Sequence, residues 1–447
     1  MKINYILLTA LAFVYLVSCK PEIIAPDIGT GDLDASVFVA IGSDGTAGYA
    51  NDALHSNGQE NSFAAILSKQ INLVTTSSFN QPLISSNSTG VSLDSNSRLI
   101  LGYKTDCKGE TSLSPVREGS LGDIALLGTS IYNNASPFHN VGVPGAGILD
   151  VNTSGYGNPA NGVGNYNPFY ARIAASQVTG SILEDAENLS PTFFSIELGE
   201  SDIMTYAKSG ATSTTPTPAV GSAGVGFEGS LDEIVNALYI NGAKGIISNV
   251  PNVIDYPYFT TIPYNGLNLD ADKAATLTTV FSFLGLTFTV GDNPFLIKDA
   301  AEPFGVRQMV EGELVLLSVP LDSVKCLGLG SITGISNEHV LTLTEIADIQ
   351  LRTSDYNAVI STIALTYNLA FVDKESLINS LNSGIVYNGV AMNTSFITGG
   401  AFSLDGRNLN PNGQALLANK YIESINTAFN SRIPYASVVN YPGIIFP

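Results

Sequence analysis

The side chains suited to acid–base and nucleophilic chemistry are unevenly supplied. Histidine occurs three times in 447 residues, at His55, His139 and His339. An imidazole titrates near neutral pH, and most hydrolytic sites use one as general base. Cysteine also occurs three times, at Cys19, Cys107 and Cys326. Carboxylates are plentiful, with 39 Asp and Glu against 19 Lys and Arg, for a formal charge of −20. No basic run exists, which argues against a nucleic-acid partner. The charged fraction, 13 %, is about half the usual quarter and speaks against a disordered polyelectrolyte or a long coiled coil.

The elements that must position such residues are legible. Residues 36–41 form a short apolar run ending in Gly42, and Phe63, Ile66, Leu67 and Ile71 recur at helical spacing from about Ser62. That is strand, turn, helix. Phe193–Leu198 is a second strand, followed by a helix with Leu231, Ile234, Val235 and Leu238 on one face. Residues 244–250 form a third strand. Thr342-Leu343-Thr344-Glu345 is a capping box opening a long helix with Ile346, Ile349, Tyr356, Ile360 and Ile363 in line. Leu369–Asp373 is the next strand, and Pro411 and Gly413 introduce a last helix carrying Leu417, Tyr421, Ile425 and Phe429. Strands alternating with helices predict an α/β fold with a mostly parallel sheet covered on both faces.

Large insertions separate these elements, at about 78–135, 208–226 and 256–340. The Ser/Thr/Pro/Gly-rich 208–226 loop is expected to be mobile. Within 256–340 the apolar stretch Phe281–Val290 reads as a lid, a docking surface or extra core. No internal repeat and no second independent domain is found.

The N-terminus reads as an export signal over residues 1–18. Lys2 precedes the apolar run Tyr5–Val17, and Leu16-Val17-Ser18-Cys19 resembles a bacterial lipobox, in which the Cys is lipidated. A plain secretory signal with a chance Cys is the alternative. Residues 19–35, with two Pro, two Gly and several acids, read as the lipidated Cys and a tether. The folded domain is then 36–447. With Cys19 used, Cys107 and Cys326 remain, and an oxidising envelope compartment favours a disulfide between them over two buried thiols.

Four segments occur in order: Ile41-Gly42-Ser43-Asp44-Gly45-Thr46-Ala47-Gly48, Asn140-Val141-Gly142-Val143-Pro144-Gly145-Ala146, Leu198-Gly199-Glu200-Ser201-Asp202 and Ser403-Leu404-Asp405-Gly406-Arg407-Asn408. Together they resemble the SGNH/GDSL hydrolases, particularly envelope lipoprotein members from Bacteroidetes. The resemblance implies a three-layer α/β/α, flavodoxin-like domain and a carboxylester hydrolase of the GDSL-like lipase/acylhydrolase type. It places Asp44 at the nucleophile position, Gly145 and Ser201 at the oxyanion-hole positions, Asp405 as orienter and Asn408 at the base position. The family has Ser, Asn and His where this chain has Asp44, Ser201 and Asn408.

Those substitutions govern the functional expectation. A Ser nucleophile needs a base within hydrogen-bond reach, and Asn408 cannot take a proton. Asp44 and Asp405 together would repel a developing oxyanion instead of stabilising it. Three rescues are conceivable: Ser43 as a shifted nucleophile, Asp44 as a carboxylate nucleophile, or His139 (less readily His55) swinging in as base. Otherwise His139 is expected to bond nearby backbone, and His55 and His339 to lie exposed. Convergence of Asp44, Asp405 and Asp202 would favour a hard cation such as Ca²⁺ or Mg²⁺; the alternative bonds Asp202 to backbone amides, and no metal or cofactor is expected. The reading is a lipid-anchored outer-membrane protein of the bacterial envelope that has lost ester hydrolysis. It binds a small ligand in the old cleft or partners an integral outer-membrane protein. An active esterase with an atypical site is the alternative.

Overall fold

The computed structural model describes residues 27–447 except Pro303. Cys19 and the export signal lie outside the described residues. Five parallel strands form the central sheet: β1 (Phe38–Gly42), β2 (Asn140–Gly142), β3 (Phe193–Glu197), β4 (Lys244–Ser248) and β5 (Ala370–Val372). Their spatial order is β5-β4-β3-β1-β2. Every residue of β1 and β3 is buried, so both faces of the sheet are covered. The cover comes from α1 (Phe63–Ile71), α2 (Glu200–Lys208), α3 (Phe227–Leu238), α4 (Leu343–Thr366), α5 (Lys374–Ser383) and α6 (Pro411–Ala428). Phe63 of α1 stacks on Tyr421 of α6 at 4.5 Å, and Phe227 of α3 stacks on Tyr356 of α4 at 4.0 Å. Among the described residues no helix is long and apolar enough to cross a membrane.

Local chemistry sets the helix starts. Ser62 accepts the Ala65 N–H, Glu345 accepts the Thr342 N–H, and Asn410 accepts the Gly413 N–H. β2 carries no readable strand pattern, because three residues are too few for periodicity. It is held by pairing: Gly42 stands opposite Gly142 on one side and Glu197 on the other. The strand order reverses direction between β1 and β3. In open α/β sheets a crevice forms at the carboxyl ends of the strands at such a point.

The insertions have structure of their own. Within 78–135, Leu99–Thr105 and Thr111–Arg117 form an antiparallel hairpin. Near its tip Cys107 is bonded to Cys326, with Cα atoms 6.4 Å apart, and Lys325 pairs with Asp106 at 2.8 Å. Residues 262–340 enclose a second hydrophobic core that includes Leu267, Leu277, Phe281, Phe288, Phe295 and Ile335. Of the three readings of the Phe281–Val290 stretch, extra core is the one this cluster matches. Its strands are two or three residues long, too short to leave a period in the sequence. Within the Phe281–Val290 stretch, Phe281 and Phe288 point inward while Phe283 and Val290 are exposed.

Two further expectations are revised. The 208–226 loop is pinned: Tyr356 and Arg352 donate to the Thr217 carbonyl, the Thr217 hydroxyl donates to Asp202, and Ala219 is buried. The end of the expected tether is docked, since Leu33 and Ala35 are buried and the Asp32 N–H donates to the Phe429 carbonyl. Two apolar side chains among acids gave no periodic signal, yet both are buried.

Candidate functional site

β1 ends at Gly42, and the chain turns through Ser43 into the short helix Asp44–Ala47. This places Asp44 at the carboxyl edge of the sheet. Beyond β2, Gly145 adopts φ +78°, a left-handed conformation that glycine takes without strain. Its N–H then faces Asp44 and donates to Oδ1 at 2.8 Å. Ser201 lies in the first turn of α2, one residue after Glu200. Asp405 Oδ1 accepts the N–H groups of Arg407 and Asn408, both at 2.8 Å, while Oδ2 accepts the Asp52 N–H at 2.9 Å and the Asn408 amide at 3.2 Å. Asp405 therefore holds the side chain at position 408.

Ser43, Asp44, Gly145, Ser201 and Asn408 line one cavity of about 60 Å³. The four segments thus converge. Burial is the main influence on Asp44 and raises its pKa; the Arg407 guanidinium and the Gly145 N–H oppose it. The Gly145 N–H is thus already engaged by a carboxylate of the protein.

No imidazole serves this cleft. His55 is buried, not exposed as expected: Nδ1 accepts the Gly58 N–H and the other ring nitrogen lies 3.1 Å from the Ala50 carbonyl. Burial lowers its pKa to about 4. It caps a short helix, and its ring is consumed by that task. His139 precedes β2 at the opposite end of the strand from Gly145, and Nδ1 accepts the Asn80 N–H at 3.2 Å. His339 is half-buried within the 256–340 insertion, 2.9 Å from the Ser318 hydroxyl, where full exposure was expected. Ser43 donates to the Val143 carbonyl at 3.4 Å.

Asp202 turns away from the cleft. Its carboxylate accepts the Ile148 N–H at 3.0 Å and the Thr217 hydroxyl at 2.8 Å, clasping the loop that carries Gly145. Burial pushes its pKa up to about 6, against both hydrogen bonds. The convergence of Asp44, Asp405 and Asp202 on one ion is thus not formed. Among the described residues no group of three or more His, Cys, Asp or Glu is placed to hold a metal.

The sequence reading missed the floor of the cavity. Lys374, at the start of α5, donates to Glu197 and, at 2.6 Å, to Glu200. Glu200 also accepts the Tyr256 hydroxyl at 2.8 Å, and Glu197 accepts the Thr46 hydroxyl at 3.0 Å. Burial works against the Lys374 ammonium, but the two carboxylates outweigh it and raise its pKa. Gly45 is required beside this network, because a Cβ there would lie 2.6 Å from Glu197 Oε2. A signal was present: Glu197 ends the apolar run Phe193–Ile196, and Lys374 follows the run that ends in Asp373. Opposite charges at the ends of two buried strands need each other. Asp52 was also missed; it bridges Arg407 at 2.8 Å and Arg117 at 2.5 Å, tying the fourth segment to the base of the hairpin.

No family model and no curated protein matches the chain. Three solved structures are similar to it at low identity. A protein named as GDSL-like lipase from Parabacteroides merdae is 9 % identical, with a TM-score of 0.33 over 89 % of this chain and 99 % of that one. An alpha/beta hydrolase enzyme from the metagenome of Lake Arreo, Spain, is 11 % identical, with a TM-score of 0.34 over 89 % and 98 %. An extracellular lipase from Streptomyces rimosus is 11 % identical, with a TM-score of 0.33 over 88 % and 100 %. At these scores the likenesses carry no argument, and the assignment of an α/β fold rests on the sheet order and its covered faces.

Proposed function

We propose that the chain is an SGNH/GDSL-type hydrolase domain that has lost ester hydrolysis and uses the former active-site cleft to bind a small ligand. The observation carrying this reading is the contact between Asp44 and Gly145: a carboxylate at the nucleophile position accepts the oxyanion-hole N–H at 2.8 Å. A substrate carbonyl would have to displace a charged acceptor from that donor. It would then meet a second negative charge as its oxyanion formed, the reverse of electrostatic stabilisation. Asn408 offers no proton acceptor of useful basicity, and each histidine is engaged elsewhere.

The test is hydrolysis of short-chain aryl esters. Wild-type protein should not exceed an unrelated protein at equal concentration. Asp44→Ser with Asn408→His should create activity, with the new imidazole held by Asp405. Adding Ser201→Asn supplies a further oxyanion donor, worth roughly 3 kcal/mol in the transition state. Wild-type turnover abolished by Asp44→Ala or Ser43→Ala would instead establish the active-esterase alternative.

The lipobox supports an anchor at Cys19 and a place in the outer membrane, where an integral membrane protein is the expected partner. Cys19→Ala should move the protein to the soluble envelope fraction; continued membrane association with an intact signal would refute the anchor.

A further inference from the structure

A cavity larger than the cleft lies in the 256–340 insertion, against the second core. Its volume is about 520 Å³, within the roughly 300–1,000 Å³ of small-molecule sites. The wall is apolar. Leu267 and Leu269 of the strand Leu267–Leu269, Leu277 of the helix Ala271–Val280, and Phe295 line it and are buried; the half-buried Val324 and the exposed Ile332 complete it. The rim is basic. Three exposed lysines, Lys108, Lys273 and Lys325, line the cavity against one acid, Asp272. In the whole chain the ratio runs the other way, with 39 acids to 19 bases. Lys108 belongs to the hairpin tip, in the other insertion. It reaches the rim because the Cys107–Cys326 bond joins that tip to the cavity's own wall. Asp106 reinforces the junction: one carboxylate oxygen accepts the Lys108 N–H at 2.9 Å and the other accepts the Lys325 ammonium at 2.8 Å. Lys273 pairs with Asp270 at 3.0 Å, whereas the Lys108 ammonium forms no ion pair among the described residues.

We infer that this cavity is a second binding site, for a single-chain amphiphilic anion of the alkyl carboxylate class, with the chain on the apolar wall and the head group at the lysine rim. The inference is independent of the reading of the cleft. An apolar wall gains free energy when an alkyl chain covers it. Ammonium groups donate and never accept, and each keeps N–H groups beyond the one given to a protein carboxylate. The rim therefore calls for a head group that only accepts. Exposure of the lysines suits this arrangement, because a head group at the rim stays in water and only the chain is desolvated. A cationic head would meet donors and like charge, and a neutral alcohol would gain the chain's share alone.

Calorimetric titration of the full-length protein with monomeric hexanoate, octanoate and decanoate tests this. Affinity should rise about fourfold for each added CH₂. Octanoate should bind at least about threefold more tightly than 1-octanol or octylammonium, in line with the worth of an exposed charge pair. Thr276→Trp and Ile332→Asp change exposed positions on the cavity and should each weaken octanoate binding at least about tenfold, because one fills the space and the other charges the wall. An unchanged unfolding midpoint for either variant shows that the fold is intact. Lys108→Glu should weaken octanoate at least about threefold and leave 1-octanol unaffected. Octylammonium binding as tightly as octanoate would overturn the anionic class. Affinity that does not rise with chain length, or octanoate binding untouched by both Thr276→Trp and Ile332→Asp, would overturn the site, as would no binding at all.

Discussion

The floor and the mouth of the cleft hold the same kinds of charge in opposite arrangements. On the floor, Lys374 is bonded to Glu197 and Glu200, which also accept from Thr46 and Tyr256. At the mouth, Asp44 and the exposed Lys208 border the same cavity and form no ion pair among the described residues. A buried charge without a partner costs several kcal/mol, so the floor is built to be satisfied by the protein alone. Its network joins the turn after β1, the start of α2 and the start of α5, and so fixes the geometry of the cleft. The mouth keeps charges that the protein leaves unmatched.

Three measurements bear on the contrast. The largest effect belongs to the floor. Lys374→Met removes the cation shared by two buried carboxylates and should cost about 3–5 kcal/mol in urea unfolding; a loss below about 1 kcal/mol would mean that the floor is solvated. An intermediate effect comes from the clasp behind the mouth. Asp202 has a folded pKa of about 6, above its ordinary 3.8, so the native state binds its proton more tightly than the unfolded chain. Its ionisation therefore subtracts from stability at pH 7, by about 3 kcal/mol. That stability returns as the pH falls from about 6 toward 4. Asp202→Asn can still accept from Ile148 and bond Thr217, so it should be more stable than wild type at pH 7 and lose the advantage by pH 4. A variant equally destabilised at both pH values would show that the hydrogen-bond geometry, not the charge, matters there. The smallest effect belongs to the mouth. Lys208→Met should shift stability by less than about 0.5 kcal/mol, because the side chain is exposed. A large stability loss would show that Lys208 belongs to the scaffold.

The α/β class and the helix starts at Ser62, Thr342 and Asn410 follow from sequence, because hydrophobic period and capping chemistry are local. The convergence of Asp44, Gly145, Ser201 and Asn408 was also legible, through the order of four short segments and a resemblance that assigns each to a strand end. Asp405 holding Asn408 is local as well, at three residues' distance. What only the tertiary structure decided lies at long range. That Lys374 meets Glu197 depends on β3 and β5 sharing a sheet across an intervening strand. That Asp202 faces Ile148 and Thr217, away from Asp44, depends on which side of α2 it occupies. The burial of His55 and the second core within 262–340 rest on segments too short or irregular to carry a period. Sequence determined which chemical groups stand at the strand ends. Packing determined which are neutralised by neighbours and which remain free, because charge pairing is set by distances that residue spacing along the chain does not encode.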